Sequence, residues 1–268
     1  RDLRSQDHNP LLEAERDGIP YRIIYIFEPS LIKYPDTSPR HLQFVYHSII
    51  ALNKTLKPFN RSVEVFYGEA LEIFNYLSKC FNINNLYSYC ESGTQNTWQR
   101  DKKIKVFCTH NQINWQEFQR DGILRGIKNR VNWNKQWHIT MHKPVIQNIY
   151  SSSKQAPLNH SFLIPDKLEA QLKNYPKQFQ PPGELYAWRY LKSFTEDRGF
   201  NYQKHISKPS ESRTSCSRLS PYFAWGNMSI KQAFQFIGTH PNGKTNNRAF
   251  SAMLTRLHWH CHFIQKFE

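Results

Sequence analysis

Apolar and polar positions along the first half of the chain switch repeatedly between two periods. Residues 21–28 (YRIIYIFE) form a β-rich run of the kind a buried parallel strand shows. In residues 41–56, Leu42, Phe44, Val45, Ile49, Ile50 and Leu52 fall at helical spacing. Residues 62–67 (SVEVFY) predict a second strand, and residues 70–81 a second amphipathic helix. Residues 85–90 and 104–109 predict two more strands. A helix is expected to open at Asn114, where Glu117 completes a capping box. Strands alternating with helices at this spacing predict an α/β doubly wound parallel sheet, Rossmann-like, with right-handed crossovers.

Ligands on such sheets sit beyond the carboxyl ends of the strands. The positions to watch are therefore Glu28-Pro29-Ser30, Glu91-Ser92-Gly93 and Thr109-His110. No GxGxxG and no GxxxxGK[ST] occurs, which leaves ordinary dinucleotide and P-loop nucleotide binding without support.

From residue 128 the pattern decays. Prolines at 144, 157, 165, 176, 181 and 182 and the run Ser151-Ser152-Ser153 read as a long surface connection. Beyond it the chain turns helical and aromatic. Residues 183–195 (GELYAWRYLKSFT) predict one helix, Ser229 with Gln232 opens another, and residues 247–267 form a third. The expected organisation is an α/β domain over 1–125, an inter-domain linker over 126–182 and a helical domain over 183–268.

Composition admits a substantial core, at 39% hydrophobic and 15% aromatic, and excludes disorder throughout. The longest apolar run is too short to span a bilayer, so no membrane partner is expected. Five scattered cysteines without a CxxC pair fit reduced thiols in a cytoplasmic protein. The net charge of +15 is uneven. Residues 1–120 hold 15 Lys and Arg against 13 Asp and Glu, whereas residues 121–268 hold 21 against 8. A field so lopsided points to a polyanionic partner, with nucleic acid in the lead.

One segment stands out for its chemistry. Thr214-Ser215-Cys216-Ser217-Arg218-Leu219-Ser220-Pro221-Tyr222 surrounds an arginine with hydroxyls and puts Pro221 where a helix starts. The N–H groups of a helix start, the hydroxyls and the guanidinium can together hold a phosphate or diphosphate. On the residues alone, a capped helix start with a solvated arginine explains the same string. The string His258-Trp259-His260-Cys261-His262 invites a zinc reading, yet only His258 and His262 share a helical face, and two ligands do not close a site. No metal is expected.

These residues resemble the photolyase/cryptochrome family. Residues 216–223 are similar to the family's TSRLSPYL segment, and Gly226-Asn227-Met228-Ser229 to its G-x-[IVL]-S. Leu257-His258-Trp259-His260 stands where the family has L-[IV]-W-R, and residues 1–14 (RDLRSQDHNPLLEA) resemble its RDLRLxDNPAL. Arg100-Asp101 is similar to its ERDxxV element. The resemblance implies an antenna domain followed by the N-terminal part of an all-α FAD-binding domain, in a chain that reads as a fragment because it starts on Arg and stops inside a predicted helix.

For the site, the resemblance implies that Tyr202, Cys216, Ser217, Arg218, Leu219 and Ser220 hold FAD. Asn96 and Thr97 would serve a second, antenna chromophore of open identity. Trp259 and Arg256 would occupy the catalytic positions, with Trp259 and His260 on DNA. Tyr186, Trp188, Tyr190, Tyr222, Trp225 and Trp259 could stack on flavin or bases, although most are expected to be helical core. The implied function is a deoxyribodipyrimidine photo-lyase, a monomer in which blue-light-excited FAD repairs a flipped-out pyrimidine dimer in damaged DNA. Two alternatives stand beside it: a cryptochrome-type photoreceptor without repair, and a non-enzymatic nucleic-acid-binding protein with a vestigial flavin site. The departures are specific. Arg256 stands where repairing members have Glu, His260 replaces Arg, Cys216 replaces Thr, and Thr97 replaces Glu.

Overall fold

The computed structural model describes residues 2–268, so the first residue of the RDLR string, Arg1, lies outside the described residues. In chain order the elements are α1 (Asn9–Arg16), β1 (Ile23–Phe27), α2 (Pro29–Ile32), α3 (Pro39–Leu56), β2 (Val63–Tyr67), α4 (Ala70–Cys80), β3 (Asn85–Tyr89), α5 (Gln95–His110) and β4 (Asn114–Phe118). There follow α6 (Trp133–His142), α7 (Asp166–Lys173), α8 (Glu184–Ser193), α9 (Tyr202–His205), α10 (Pro209–Ser215), α11 (Ser220–Trp225), α12 (Ile230–Thr239) and α13 (Asn247–Phe267).

The chain forms two compact units that interleave in sequence. One is His8–Phe118 with Asn148–Pro181. The other is the N-terminal segment through Asp7 with Gln119–Gln147 and Pro182–Glu268. Contiguous blocks 1–125, 126–182 and 183–268 do not describe this division. The stretch read as a linker is split between the units and carries two helices. In α6, Trp133, Trp137 and Met141 are buried at intervals of four, a helical stripe that the prolines around it obscured. In α7, Leu172 is buried.

In the first unit all described strand pairing is parallel. β1 pairs with β2 from Ile23↔Val63 to Phe27↔Tyr67, and β3 with β4 from Asn85↔Asn114 to Tyr89↔Phe118. Each pair is bridged by helices, because a parallel neighbour can be reached only by a crossover. α3 starts where Pro39 suits the first turn and the Ser38 hydroxyl accepts from the Arg40 N–H. The core beneath the strands includes Phe66, Ile73 and Leu77, and beside it Ile104, Phe107 and Cys108. The fold is the expected α/β parallel architecture joined to a helical unit.

Two expected elements change type. Residues 104–109 are not a strand but the last part of α5. Their β-branched composition suggested a strand, yet Ile104, Phe107 and Cys108 are the buried positions, at i, i+3 and i+4, while Val106 is exposed. Residues 114–118 are strand β4 rather than a helix start. A capping-box pattern costs the chain only local hydrogen bonds to abandon, whereas pairing along the whole of β3 satisfies a backbone ladder.

The helical unit is tied together through Asp7. The Asp7 carboxylate pairs with Lys231 Nζ at 2.7 Å, accepts from the Ser229 hydroxyl at 2.6 Å and accepts from the Ile146 N–H at 2.9 Å. Ser229 also closes the expected capping box of α12 with Gln232. Arg4, buried, donates to the Asp7 carbonyl at 2.8 Å and to the Gly226 carbonyl at 3.3 Å. Asn227 donates to the Leu3 carbonyl at 2.8 Å. Two sequence motifs that lie more than 200 residues apart are thus one hydrogen-bonded structure.

Burial works to raise the Asp7 carboxyl, but Lys231, Ser229 and the Ile146 N–H outweigh it and hold it below the ordinary range. A depressed carboxyl contributes stability that is present above its unfolded value, near 3.8, and is lost as pH falls through the folded value. Asp7→Asn is therefore expected to cost about 3 kcal/mol in chemical denaturation at pH 7, because Lys231 is left facing a neutral group. The gap between the two proteins should close as pH falls below 3.8 and through the lowered folded value.

Candidate functional site

The residues singled out in the helical unit lie on three pieces of chain. Tyr202 opens α9, Cys216 to Leu219 join α10 to α11, and Arg256 and Trp259 belong to α13. What fixes the middle piece is Arg198, at the end of a π-helical turn spanning Phe194–Arg198. Its guanidinium donates to the carbonyls of Tyr190 at 3.0 Å, Thr214 at 2.8 Å, Ser217 at 3.2 Å and also Cys216. Its Nε reaches the Ser193 hydroxyl at 3.2 Å. The turn closes on Gly199, whose N–H donates to the Phe194 carbonyl at 2.9 Å. A Cβ at 199 would meet that carbonyl oxygen at 2.5 Å, so glycine is required by close approach rather than by an unusual φ.

Around this clamp the positive charges gather. Arg198, Arg218 and Arg256 all act on the Cys216 thiol. Burial pushes that thiol up, and the three guanidiniums, with a hydrogen bond involving Ser212, oppose it. Tyr202 is buried and edge-on to Phe194 at 5.5 Å, and the Arg256 guanidinium acts on its hydroxyl. Burial raises its hydroxyl, the Cys216 thiol adds to this, and Arg256 opposes it. Arg198 itself is driven down by burial, and by Arg218 beside it. Arg218 takes a left-handed backbone, φ 62°, which costs a non-glycine residue about 1 kcal/mol and marks a turn held by its surroundings. Three guanidiniums thus act on one thiol-bearing loop, Arg218 from within it and Arg198 and Arg256 from neighbouring elements.

The expected residues divide by position. Tyr202, Cys216, Arg218 and Arg256 come together. Ser217 is buried, and its carbonyl serves Arg198. Leu219 is 1% exposed and packs in the core. Ser220, exposed, is the first residue of α11, which is less than two turns long, so its dipole adds little to the guanidiniums. Trp259 is 41% exposed with the Arg256 guanidinium 4.3 Å over its ring. His260 does not share that face. It turns inward to Phe223, ring centroids 5.9 Å apart, and burial, aided by Arg120 and opposed by Asp121, lowers its pKa. Neighbours on a helix point about 100° apart, so Trp259 and His260 cannot both meet one ligand edge. His258 and His262 pack against Trp133, at 5.1 and 5.8 Å. Among the described residues no group of three potential metal ligands forms.

On the α/β unit, a second cavity of about 950 Å³ opens beyond β1 and β2, lined by Glu28, Ser30, Glu69, Asn96 and Arg100 among others. Two of the three post-strand positions meet here through Arg100, which pairs with Glu28 and Glu91, each at 2.8 Å. The third, Thr109-His110, ends α5 instead. Asn96 lines the cavity, whereas Thr97 is buried and donates its hydroxyl to the Thr94 carbonyl at 2.9 Å. Sequence reasoning missed Arg198 and Asp7. Neither has a local signature, because their partners are carbonyls and side chains brought close only by folding.

A parallel α/β unit with a helical unit carrying a cationic loop defines the class. Residues 1–148 match the family model of DNA photolyase, and the chain belongs to that family. An archaeal photolyase from Sulfolobus tokodaii, solved with two FAD molecules, is 20% identical with a TM-score of 0.67 over 99% of this chain and 57% of its own. A class III photolyase from Agrobacterium tumefaciens is 18% identical with a TM-score of 0.77 over 99% of this chain and 57% of its own. A Synechocystis cryptochrome is 18% identical with a TM-score of 0.77, over 98% and 59%. The chain thus spans less than two thirds of each, and at these identities the likeness concerns the fold. No curated protein sequence matches the chain. Among the described residues no helix is long and apolar enough to cross a membrane.

If Arg198 organises the loop, Arg198→Lys should loosen it, because an ammonium cannot bridge the same carbonyls. Amide hydrogen exchange across residues 214–219 is expected to speed up by about tenfold or more, with a loss of about 1–3 kcal/mol in global stability.

Proposed function

We propose that this chain contributes the antenna unit and part of the flavin site of an FAD-dependent, blue-light-driven DNA photolyase. The observation that carries the reading is the resemblance-marked loop from Cys216 to Ser220, clamped by Arg198 through its carbonyls and acted on at Cys216 by Arg198, Arg218 and Arg256. Their charge suits the diphosphate of FAD: Arg198, whose donors go to carbonyls, contributes its field, while half-buried Arg218 and the exposed Ser220 hydroxyl would donate. Bound flavin would supply the light-driven electron transfer, and the chain's own part is to bind, orient and neutralise.

Charge supports a DNA partner. The helical unit carries 20 Lys and Arg against 8 Asp and Glu, or +12 of the net +15, which favours phosphate neutralisation with counterion release. Trp259, exposed beside Arg256, is the group placed to stack on an extruded base. The cavity of about 950 Å³ at Asn96 and Arg100 would take an antenna chromophore, without Thr97.

One observation favours a second reading. Arg256 lies 4.3 Å over the Trp259 ring, and by the motif resemblance this cation stands where repairing members have the Glu that hydrogen-bonds the dimer. A cryptochrome-type photoreceptor needs no such carboxylate. The test is to take the full-length protein, record its absorption spectrum before and after blue light, and measure light-dependent repair of a dimer-containing oligonucleotide. Flavin bands with repair support the photolyase, flavin bands without repair support the photoreceptor, and a colourless protein overturns both. In the same protein Arg218→Ala is expected to lower FAD occupancy by about tenfold, the loss of roughly one charge-assisted hydrogen bond.

A further inference from the structure

The face that α6 turns towards α13 is rich in histidine. His138 and His142 lie one turn apart on α6, and His258 and His262 one turn apart on α13. Their rings form a chain, with centroids 6.2 Å apart from His142 to His138, 6.2 Å from His138 to His258 and 6.3 Å from His258 to His262. Beneath them lie two buried indoles. His258 meets Trp137 at 4.7 Å and Trp133 at 5.1 Å, and His138 meets Trp137 at 5.0 Å. None of the four histidines takes part in the sites proposed above.

Bonding fixes the protonation state of one ring. Arg130 Nη2 lies 2.6 Å from His262 Nδ1. A guanidinium can only donate, so Nδ1 accepts with its lone pair and the ring is neutral. A proton on Nδ1 would set two donors against each other, beside a cation. His258 Nε2 lies 2.9 Å from the Asn134 side-chain oxygen. Burial lowers the pKa of His258, and His138, His262 and Arg130 each lower it further. From α12 the uncharged ring of Phe234 packs on Trp137 and His142, at 5.2 and 5.4 Å. Asp121 acts elsewhere on α13, on His260 and Cys261. Among the described residues no ion pair joins a carboxylate to any of the four imidazoles, in contrast to His205 with Glu211. Protons taken up here therefore meet repulsion without a counter-charge.

We propose that the contact between α6 and α13 is a pH-sensitive joint, closed while the four imidazoles are neutral and loosened as they gain protons. Neutral rings pack against the indoles, whereas imidazoliums at these spacings repel one another and Arg130. A histidine whose folded pKa lies below its unfolded value, 6.5, contributes stability that is complete above that value and is lost as pH falls towards the folded one. Because α13 also carries Arg256 and Trp259, opening the joint would free the helix that presents both. That consequence rests on the flavin reading above. The joint itself does not.

The experiment is peptide-resolved amide hydrogen exchange of the full-length protein at about pH 7.5 and about pH 5.5, corrected for the intrinsic pH dependence of exchange, with FAD occupancy measured in parallel. Protection across residues 133–142 and 257–265 is expected to fall about tenfold or more at the lower pH, while α3 keeps its protection. His138→Gln/His142→Gln changes two exposed side chains and should reduce the fall to about threefold or less. His110→Gln, exposed at the end of α5, should leave it intact. Unchanged protection overturns the proposal, as does a rise of the kind that cation–π contact with the indoles would give. So does an equal fall in α3, which would mean general acid unfolding, or an equal fall in the His138/His142 variant. FAD lost at the lower pH with protection kept also overturns the joint, whereas protection lost with FAD kept supports the joint and refutes only its consequence for the flavin site.

Discussion

A single buried carboxylate holds the helical unit to the beginning of the chain. Asp7 is 4% exposed and faces Lys231, Ser229 and the Ile146 N–H, which belong to two separate stretches of sequence. A charge so placed is tolerated only if it is paired and hydrogen-bonded, and every one of those partners must then be in position at once. The constraint propagates. Ser229 starts α12, Ile146 follows α6, and Arg4, anchored on the Asp7 carbonyl, reaches Gly226 at the end of α11. The start of α11 follows directly on Leu219 and so fixes where the cationic loop ends.

The loop follows a different rule. Its backbone is organised by Arg198 through carbonyl oxygens, and Arg198, Arg218 and Arg256 all act on Cys216. Placing three guanidiniums together costs repulsion and desolvation, a cost that an anionic ligand reverses. That is the physical basis of the proposal that the site receives a diphosphate.

Much of this was legible beforehand, and the failures have a common form. The strand at β1, the helix α3, the capping box at Ser229 and the long final helix all follow from local periodicity or capping chemistry. The two reversals, at residues 104–109 and 114–118, are short segments whose local preference opposes their tertiary partners. Ile104, Phe107 and Cys108 look like a strand by composition and act as a helix by burial. Asn114 and Glu117 offer a capping box, but β3 offers a ladder. Within the site, Arg218 and Tyr202 could be named from motif likeness. Arg198 could not, since nothing near it in sequence hints at carbonyls 16 to 19 residues away.

By itself the amino-acid sequence determined the alternation of strands and helices, the excess of positive charge in the second half, and the two motif segments that mark the family. These depend on short-range spacing and on residue type, which are readable along a line. Only the tertiary structure decided that those segments bind each other through Asp7 and Asn227, that His260 turns inward while Trp259 stays exposed, and that the stretch expected as a linker is shared between two units. The reason is that hydrogen bonds and burial at these places join residues far apart in the chain, and their energy exists only once the backbone has brought them within reach.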